Sequence, residues 1–281
     1  MRRITAVVVL AVVAGAAVVP APAAAQRSTG SVARPDTVIS AARAPRVPYV
    51  PKSSRADTLR GSYTTPSRRW WDVTFYDLHV RVNPADSSVS GYNAMTYTVL
   101  TPERELQVDL MEPLVVDSMR QDGNAIPYRR EGAAFFAALP RAPSAGTQKT
   151  ITVYYHGKPQ IARNPPWQGG FTWTTDSLGR PWIVTTDQGM GASVWWPNKD
   201  TQADEPDSQR VALTVPSALQ DVSNGRLRST RKNADGTTTY EWFVKNPINN
   251  YAIAVAAGNY AHYVESYNGL RGPLSVDYWP L

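Results

Sequence analysis

The chain has 281 residues, 42% of them hydrophobic, which is enough for one large domain or two ordinary domains with a substantial core. Its formal charge of +6 is unevenly distributed. Arg2 and Arg3 carry two charges and residues 26–69 carry a net +7, which leaves residues 70–281 with a net −3. A mildly acidic folded part argues against a nucleic-acid partner. The absence of cysteine from the sequence excludes disulfides and thiolate metal ligands.

Residues 1–25 have the pattern of a secretory signal peptide. Two arginines at 2–3 precede an apolar run over 4–19, and three alanines at 23–25 supply the small residues expected before a cleavage site at Gln26. An uncleaved membrane anchor is the alternative, although the apolar run is slightly short for one. We therefore expect a secreted or periplasmic protein that has no membrane association once the signal is cleaved.

Residues 26–69 are rich in Ser, Thr, Pro, Ala and Arg and show little hydrophobic periodicity. This composition is typical of a flexible or extended lead-in to a folded domain. A strap that docks on a partner is the alternative, but no feature of the segment specifically supports it.

From Trp70 onward, short segments in which apolar and polar residues alternate predict a succession of β-strands. The alternation is clearest over residues 76–82. The same pattern recurs in residues 95–99, 106–110, 151–155, 211–215, 240–244 and 251–255, and the apolar run 182–184 also looks like a strand. Asp235-Gly236 is the best hairpin candidate among the turn signals. With no long helical period and no internal repeat, residues 70–281 are predicted to be all-β, as an antiparallel sandwich or a large curved sheet.

The sequence contains few residues in catalytic arrangements. Its three histidines are far apart and lack His-x-x-x-His spacing: His79, His156 and His262. No metal ligand is therefore predicted. Ser193 follows Gly191 as in a nucleophile elbow, but Trp195 replaces the second glycine and no histidine partner is evident, so no catalytic residue is assigned. Several loop carboxylates would suit a glycosidase pair only if two faced each other across a cleft: Glu103, Glu105, Asp200, Asp204 and Glu205.

The stretch 182–216 is the segment most suited to a binding site. It joins two predicted strands through glycines, a Trp-Trp-Pro cluster and a charged loop, and long irregular segments of this kind often form docking surfaces. Gln188 ends the first strand and precedes Gly189, Met190 and Gly191. Its side-chain carbonyl is able to accept a hydrogen bond from an ammonium group, and the glycines would let a ligand backbone approach closely. On the residues alone, a loop glutamine bonded to neighbouring backbone is the favoured alternative.

Four motifs follow one another in this stretch: Gln188-x-x-x-Ala192, Trp196-Pro197-x-x-Asp200, Asp204-Glu205-Pro206 and Thr214-Val215-Pro216. Their order and spacing resemble the N-terminal domain signature of the aminopeptidase N-type zinc metallopeptidases. Similar segments flank the stretch on both sides, from Tyr76-Asp77-Leu78-His79-Val80 to Gly258-Asn259-Tyr260. The resemblance therefore covers residues 70–281.

The resemblance implies a large saddle-shaped antiparallel β-sandwich that caps a thermolysin-like catalytic domain. It assigns Gln188, with Gly189, Met190 and Gly191, to binding the free α-amino group of a peptide substrate. The family's zinc motif, His-Glu-x-x-His with a more distant Glu, does not occur in the sequence. Zinc and hydrolysis are therefore expected in a catalytic domain outside this chain, which is not expected to be active alone. We interpret the chain as the cap without its catalytic domain, through a truncated gene, a partial sequence or a split protein.

Two departures from the family pattern are evident. Ser193 stands where the family usually has arginine, and the loop Asp200–Pro206 is longer than the usual turn. Trp195 and Trp196 are expected either to pack on the catalytic domain or to lie in the core of this one. The alternative function is a stand-alone secreted β-sandwich that binds carbohydrate by stacking on its Trp and Tyr residues, of which there are nine and fourteen.

Overall fold

The computed structural model describes residues 54–63, 65–165 and 167–281. The predicted signal peptide and most of the predicted lead-in lie outside these residues. Two short helices, α1 (Arg55–Leu59) and α2 (Pro66–Arg69), precede the first strand. Within the described ranges, no helix is both long enough and apolar enough to cross a membrane.

The remainder of the described chain is a succession of strands with two 3-10 turns, Ala192–Val194 and Asn250–Ala252. In chain order the strands are β1 (Trp71–Asn83), β2 (Ser88–Val99), β3 (Glu105–Asp109), β4 (Val115–Gln121), β5 (Asn124–Ile126), β6 (Tyr128–Glu131), β7 (Ala134–Ala138), β8 (Gln148–Gly157), β9 (Gly170–Thr175), β10 (Pro181–Thr186), β11 (Ser208–Pro216), β12 (Gln220–Val222), β13 (Arg226–Lys232), β14 (Thr237–Val244), β15 (Ala256–Gly258), β16 (Tyr263–Gly269) and β17 (Gly272–Tyr278).

The largest sheet among the described strands has the order β13-β14-β11-β1-β2-β8-β4-β5. The predicted hairpin at Asp235-Gly236 joins β13 to β14, with Gly236 at φ +78° and the Asn233 amide donating to the Thr237 carbonyl at 2.8 Å. β1 pairs antiparallel with β2 but parallel with β11, in the register Leu78 to Val211. Parallel pairing places β11 beside β1 in the interior of the sheet although the two strands lie far apart in sequence.

Smaller sheets accompany the large one in the described residues. They have the orders β12-β15-β10-β9, β3-β7-β6 and β16-β17. The sheet β3-β7-β6 contacts the core of the large sheet through β3, in which Leu106 and Val108 are fully buried. The first of these smaller sheets carries β10, the strand that leads into the candidate site.

Side-chain alternation explains why these strands form a core. Along β1, Tyr76, Leu78, Val80 and Val82 are each at most 2% exposed, as the sequence pattern predicts. Burying one apolar face of each strand removes hydrocarbon from water, and this is the main stabilising contribution to such a sheet.

The last part of the region that the sequence assigns to the lead-in forms α1 and α2. Ser54 caps α1 reciprocally with Asp57: the Ser54 amide donates to the Asp57 carboxylate at 2.7 Å, and the Asp57 amide donates to Ser54 Oγ at 3.3 Å. Leu59, at the end of α1, is buried with Ala134 and Phe136 of β7. The helices are too short to give the sequence a periodic apolar stripe.

One predicted strand, over residues 251–255, is wrong. A 3-10 turn occupies Asn250–Ala252, and the next strand begins only at Ala256. The buried Asn250 side-chain amide explains the difference, because it donates to the Lys199 carbonyl at 3.0 Å and to Asn198 Oδ1 at 3.2 Å. These bonds hold the backbone in a turn, while Ile253 and Val255 remain fully buried.

Candidate functional site

The candidate site begins at the carboxyl end of β10, where the chain enters the core before it turns outward. Asp187, the residue after this strand, is only 3% exposed, and Trp195 Nε1 donates to its Oδ2 at 2.7 Å. Burial raises the pKa of Asp187 well above its ordinary value, and the charge of Asp200 adds to the rise, while the bond from Trp195 opposes it. The protonated form of Asp187 is therefore favoured over the ionised form by its buried position.

A tight turn follows, and it presents Gln188 to solvent. The amides of Met190 and Gly191 both donate to the Asp187 carbonyl, at 3.0 and 2.7 Å. Gln188 and Gly189 are exposed, and Met190 is half-buried and packs on the core. The Gln188 side chain makes no hydrogen bond to any of the described residues, so the alternative of a glutamine bonded to nearby backbone is not what the structure has.

The glycines of the turn are required by close contacts. A Cβ at Gly189 would lie 2.5 Å from the Trp167 carbonyl oxygen. Gly191 has φ +85°, which disfavours other residues, and a Cβ there would lie 2.5 Å from Asp200 Oδ2. The loop that carries Trp167 therefore lies directly against the turn on one side, and the Asp200 carboxylate lies against it on the other.

Asp200 ties the segment after the turn back to the turn itself. Its Oδ2 accepts hydrogen bonds from the Ser193 amide at 3.1 Å, from Ser193 Oγ at 2.5 Å and from Arg60 Nη1 at 3.0 Å. Arg60 Nη1 also donates to the Met190 carbonyl. Ser193 is fully buried and its hydroxyl donates to a carboxylate rather than to a histidine. Its surroundings are therefore not those of a catalytic nucleophile.

Behind the turn lies a buried cluster of ion pairs. Arg68 of α2 pairs with Asp109 of β3, and Lys199 pairs with Asp204. Burial lowers the pKa of Arg68 to about 10, and it lowers the pKa of Lys199 against the attraction of Asp204. The long loop noted in the sequence is thus fixed by charged groups in the interior.

Other bonds extend this cluster into the strands. The Asp200 amide donates to Asp109 Oδ2 at 3.1 Å, and the Val73 amide donates to Asp204 Oδ1 at 3.3 Å. Arg68 Nη1 donates to the Asp200 carbonyl at 3.2 Å. The segment that follows Gln188 is therefore joined to β1, β3 and α2.

Trp195 and Trp196 belong to the core. Both are 0% exposed, so the expectation that they pack on another domain is wrong. Trp195 contacts Phe171 edge-on, with ring centroids 5.9 Å apart, and Trp196 contacts Tyr76 at 5.2 Å. Of the nine tryptophans, only Trp167 is largely exposed, at 69%, so few are available as stacking platforms for a sugar.

The described residues do not fit a zinc ion. Each histidine is bonded to a different aspartate: His79 to Asp77, His156 to Asp117 and His262 to Asp277. In the part of the chain that the structure describes, no group of three His, Cys, Asp or Glu side chains is arranged to hold a metal. The carboxylates of the glycosidase alternative are likewise engaged separately, Asp200 with Arg60, Asp204 with Lys199 and Glu105 with Arg129.

Three residues that contribute to the candidate site were not predicted from the sequence: Asp187, Arg60 and Arg68. Asp187 carried a usable signal, because it continues the inward-facing alternation of Ile183 and Thr185 yet is acidic. Arg60 and Arg68 have no such signal in the sequence, because each meets its partners only in the folded chain. Arg60, for example, contacts Met190, which lies 130 residues further along the chain.

Neither a family profile nor a curated protein matches the sequence, but solved structures match the fold. An M1 zinc metallopeptidase from Deinococcus radiodurans, crystallised with a Tyr-Ser-Ala substrate, is 20% identical with a TM-score of 0.66, over 78% of this chain and 49% of that one. A two-domain M1 zinc metallopeptidase bound to L-tryptophan is 19% identical with a TM-score of 0.66, over 78% and 50%. Leukotriene A4 hydrolase from Saccharomyces cerevisiae is 18% identical with a TM-score of 0.56, over 82% and 34%.

These likenesses define the fold. The chain has an all-β fold that is shared with M1 zinc metallopeptidases, and the fold class predicted from the sequence is confirmed. The chain matches about half of the length of the Deinococcus structure and about a third of the yeast one.

Proposed function

We propose that this chain is the N-terminal β domain of an M1-type zinc aminopeptidase and that Gln188 anchors the free α-amino group of the peptide substrate. Two independent lines support the proposal. The motif order from Tyr76 to Tyr260 resembles this family, and the fold is shared with M1 zinc metallopeptidases, one of which was crystallised with a tripeptide.

The role of Gln188 is supported by its exposed amide, which makes no hydrogen bond to the described residues and lies on a fixed turn. On its inner side the turn is held by hydrogen bonds to the Asp187 carbonyl, and on its outer side by Arg60 and Asp200. Because the backbone of the turn is already fixed, only the Gln188 side chain loses freedom when its amide oxygen accepts a hydrogen bond from an ammonium group. An acceptor fixed in this way would select peptides by their N-terminus, because an acylated terminus has no ammonium to donate.

In this proposal the chain contributes binding and orientation, and hydrolysis belongs to a zinc-bearing partner domain. The zinc would polarise the scissile carbonyl and its attacking water there. Among the described residues of this chain, no group of side chains is arranged to bind the zinc. What Gln188 supplies is a fixed distance between the substrate's terminus and the peptide bond to be cleaved.

The test is steady-state kinetics on the full-length protein, in which this chain accompanies its peptidase domain. Gln188→Ala should raise KM for a free-amine peptide about tenfold or more, because a hydrogen bond to a charged group is lost. Gln188→Glu keeps acceptor oxygens and adds a negative charge, so its KM should stay at or below that of the native protein.

Two controls make the result specific to the ammonium group. Gln148→Ala removes an exposed glutamine on β8 and should leave KM unchanged. An N-acetylated peptide, used as a competitive inhibitor, should have the same inhibition constant against the native protein and Gln188→Ala. Equal KM values for the native protein and Gln188→Ala would contradict the anchoring role.

We further propose that the protein is secreted or periplasmic, on the strength of the signal-like residues 1–25. That segment lies outside the described residues, and the proposal rests on its sequence alone.

A further inference from the structure

Arg60 stands out because it belongs to the segment before β1 and yet contacts the turn that carries Gln188. Its Nη1 donates both to the Met190 carbonyl and to Asp200 Oδ2, the second bond being 3.0 Å long. The Arg60 side chain is 26% exposed and that of Asp200 is 10% exposed. A charged hydrogen bond in a site so little exposed to water is stronger and more directional than one on the open surface.

The Arg60–Asp200 pair also fills the space beside the turn's backbone. A Cβ at Gly191 would lie 2.7 Å from Arg60 Nη1, and 2.5 Å from the Asp200 carboxylate. The turn is consequently held from two sides, by the Asp187 carbonyl on one and by the guanidinium of Arg60 on the other. Only glycine fits between them.

The position of Arg60 is set by contacts that do not involve the turn. Leu59, its neighbour, is buried beside Phe136, and the Leu59 carbonyl accepts a hydrogen bond from Gln107 Nε2 at 3.0 Å. Arg55, at the start of α1, pairs with Glu131 at 2.8 Å. Helix α1 is therefore a support fixed on β3, β6 and β7, from which Arg60 extends.

We propose that Arg60 is a positioning residue that holds the turn 187–191, so that Gln188 meets the substrate's ammonium group at a fixed place. This inference rests on the proposed function of Gln188. It also bears on Ser193, where the family usually has arginine. The serine brings no guanidinium to Asp200, and Arg60, from the segment before β1, supplies one. The segment before β1 is then part of the binding site's support.

Amide hydrogen exchange in the 281-residue chain tests the positioning directly. Arg60→Ala should speed exchange at the Met190 and Gly191 amides roughly tenfold or more, since the bond that closes the outer side of the turn is lost. Arg60→Lys, which keeps one charged donor, should restore part of the protection. Arg81→Ala, which breaks an exposed ion pair between β1 and Asp235 in the β13–β14 turn, should change neither amide.

Exchange at Val80 in β1 shows whether each variant is folded, and kinetics on the full-length protein complete the test. Arg60→Ala should raise KM for a free-amine peptide and leave kcat nearly unchanged. If the Met190 and Gly191 amides exchange at the native rate in Arg60→Ala, the positioning role is overturned while the anchoring role of Gln188 can still stand. If exchange quickens but Gln188→Ala has native KM, the anchoring role fails, and the positioning proposal fails with it.

Discussion

At the end of β10 two consecutive side chains have opposite environments. Asp187 is buried, whereas Gln188 is exposed and its side chain makes no hydrogen bond to the described residues. The buried acid fixes the path of the chain, because its carbonyl accepts the two amides that close the turn. The exposed amide is then free to act on a ligand. A buried carboxyl group is tolerated here because it accepts a hydrogen bond from Trp195 and because burial raises its pKa, which favours the uncharged form.

The raised pKa of Asp187 predicts a particular pH dependence of stability. The folded protein keeps a proton that the unfolded chain releases above about pH 4, so the free energy of unfolding should fall as pH rises from there, by up to about 1.4 kcal/mol per pH unit until the pKa of the folded state is passed. Asp187→Asn keeps an acceptor for Trp195 and should flatten this decline in urea unfolding between pH 4 and 7.

The decline should not vanish in Asp187→Asn, because burial also raises the pKa of Asp221. Asp86→Asn, at an exposed turn, is the matched control and should leave the slope as it is in the native protein. A native slope in Asp187→Asn would mean that Asp187 is ionised in the folded protein, which would contradict its described environment.

Among the elements, helix α2 is only four residues long, but it places a charged side chain in the core. It begins with Pro66 at its first turn and delivers the Arg68 guanidinium into the interior, where Asp109 and the Asp200 carbonyl receive it. A buried pair of this kind contributes little net stability while intact, but loss of one partner leaves a charge without compensation.

Arg68→Ala should therefore lower the free energy of unfolding by about 3–5 kcal/mol. Arg69→Ala, at the exposed neighbouring position, should change it by less than about 0.5 kcal/mol. Chemical denaturation of the two variants beside the native protein measures both values. A cost below about 1 kcal/mol for Arg68→Ala would show that Asp109 does not depend on this arginine.

How well each element follows from the sequence depends on the range of the interactions that fix it. The strands β1, β11 and β14 follow from alternation, since one face of each is buried and a slip by one residue would expose it. Alternation carries no information about partners, so the parallel pairing of β1 with β11 could not be predicted. Residues 251–255 alternate as well, but the buried amide of Asn250 turns their backbone.

The same distinction applies to the candidate site. Gln188 could be singled out as a candidate because it follows a predicted strand and lies near two glycines within a recognisable series of motifs. Arg60 was not, because its segment has no apolar period and its contacts with Met190 and Asp200 arise only on folding. The burial of Trp195 and Trp196 could not be predicted from the sequence either, since large aromatic residues suit a core and an interface alike.

At the scale of the whole molecule, the described domain brings a rigid turn and an exposed acceptor but no group able to hold zinc. Its fold is shared with M1 zinc metallopeptidases, of which it matches about half or less. In the proposed function, hydrolysis belongs to a partner domain and substrate anchoring is this domain's contribution.

The most direct test of that division is the intact mass of the native protein, measured together with its coding sequence beyond Leu281. We predict a mass well above that of residues 26–281, a mature N-terminus at Gln26, and a His-Glu-x-x-His segment in the added sequence or in a tightly bound second chain. A native protein with the mass of residues 26–281 alone, purified without an associated zinc peptidase, would contradict the account.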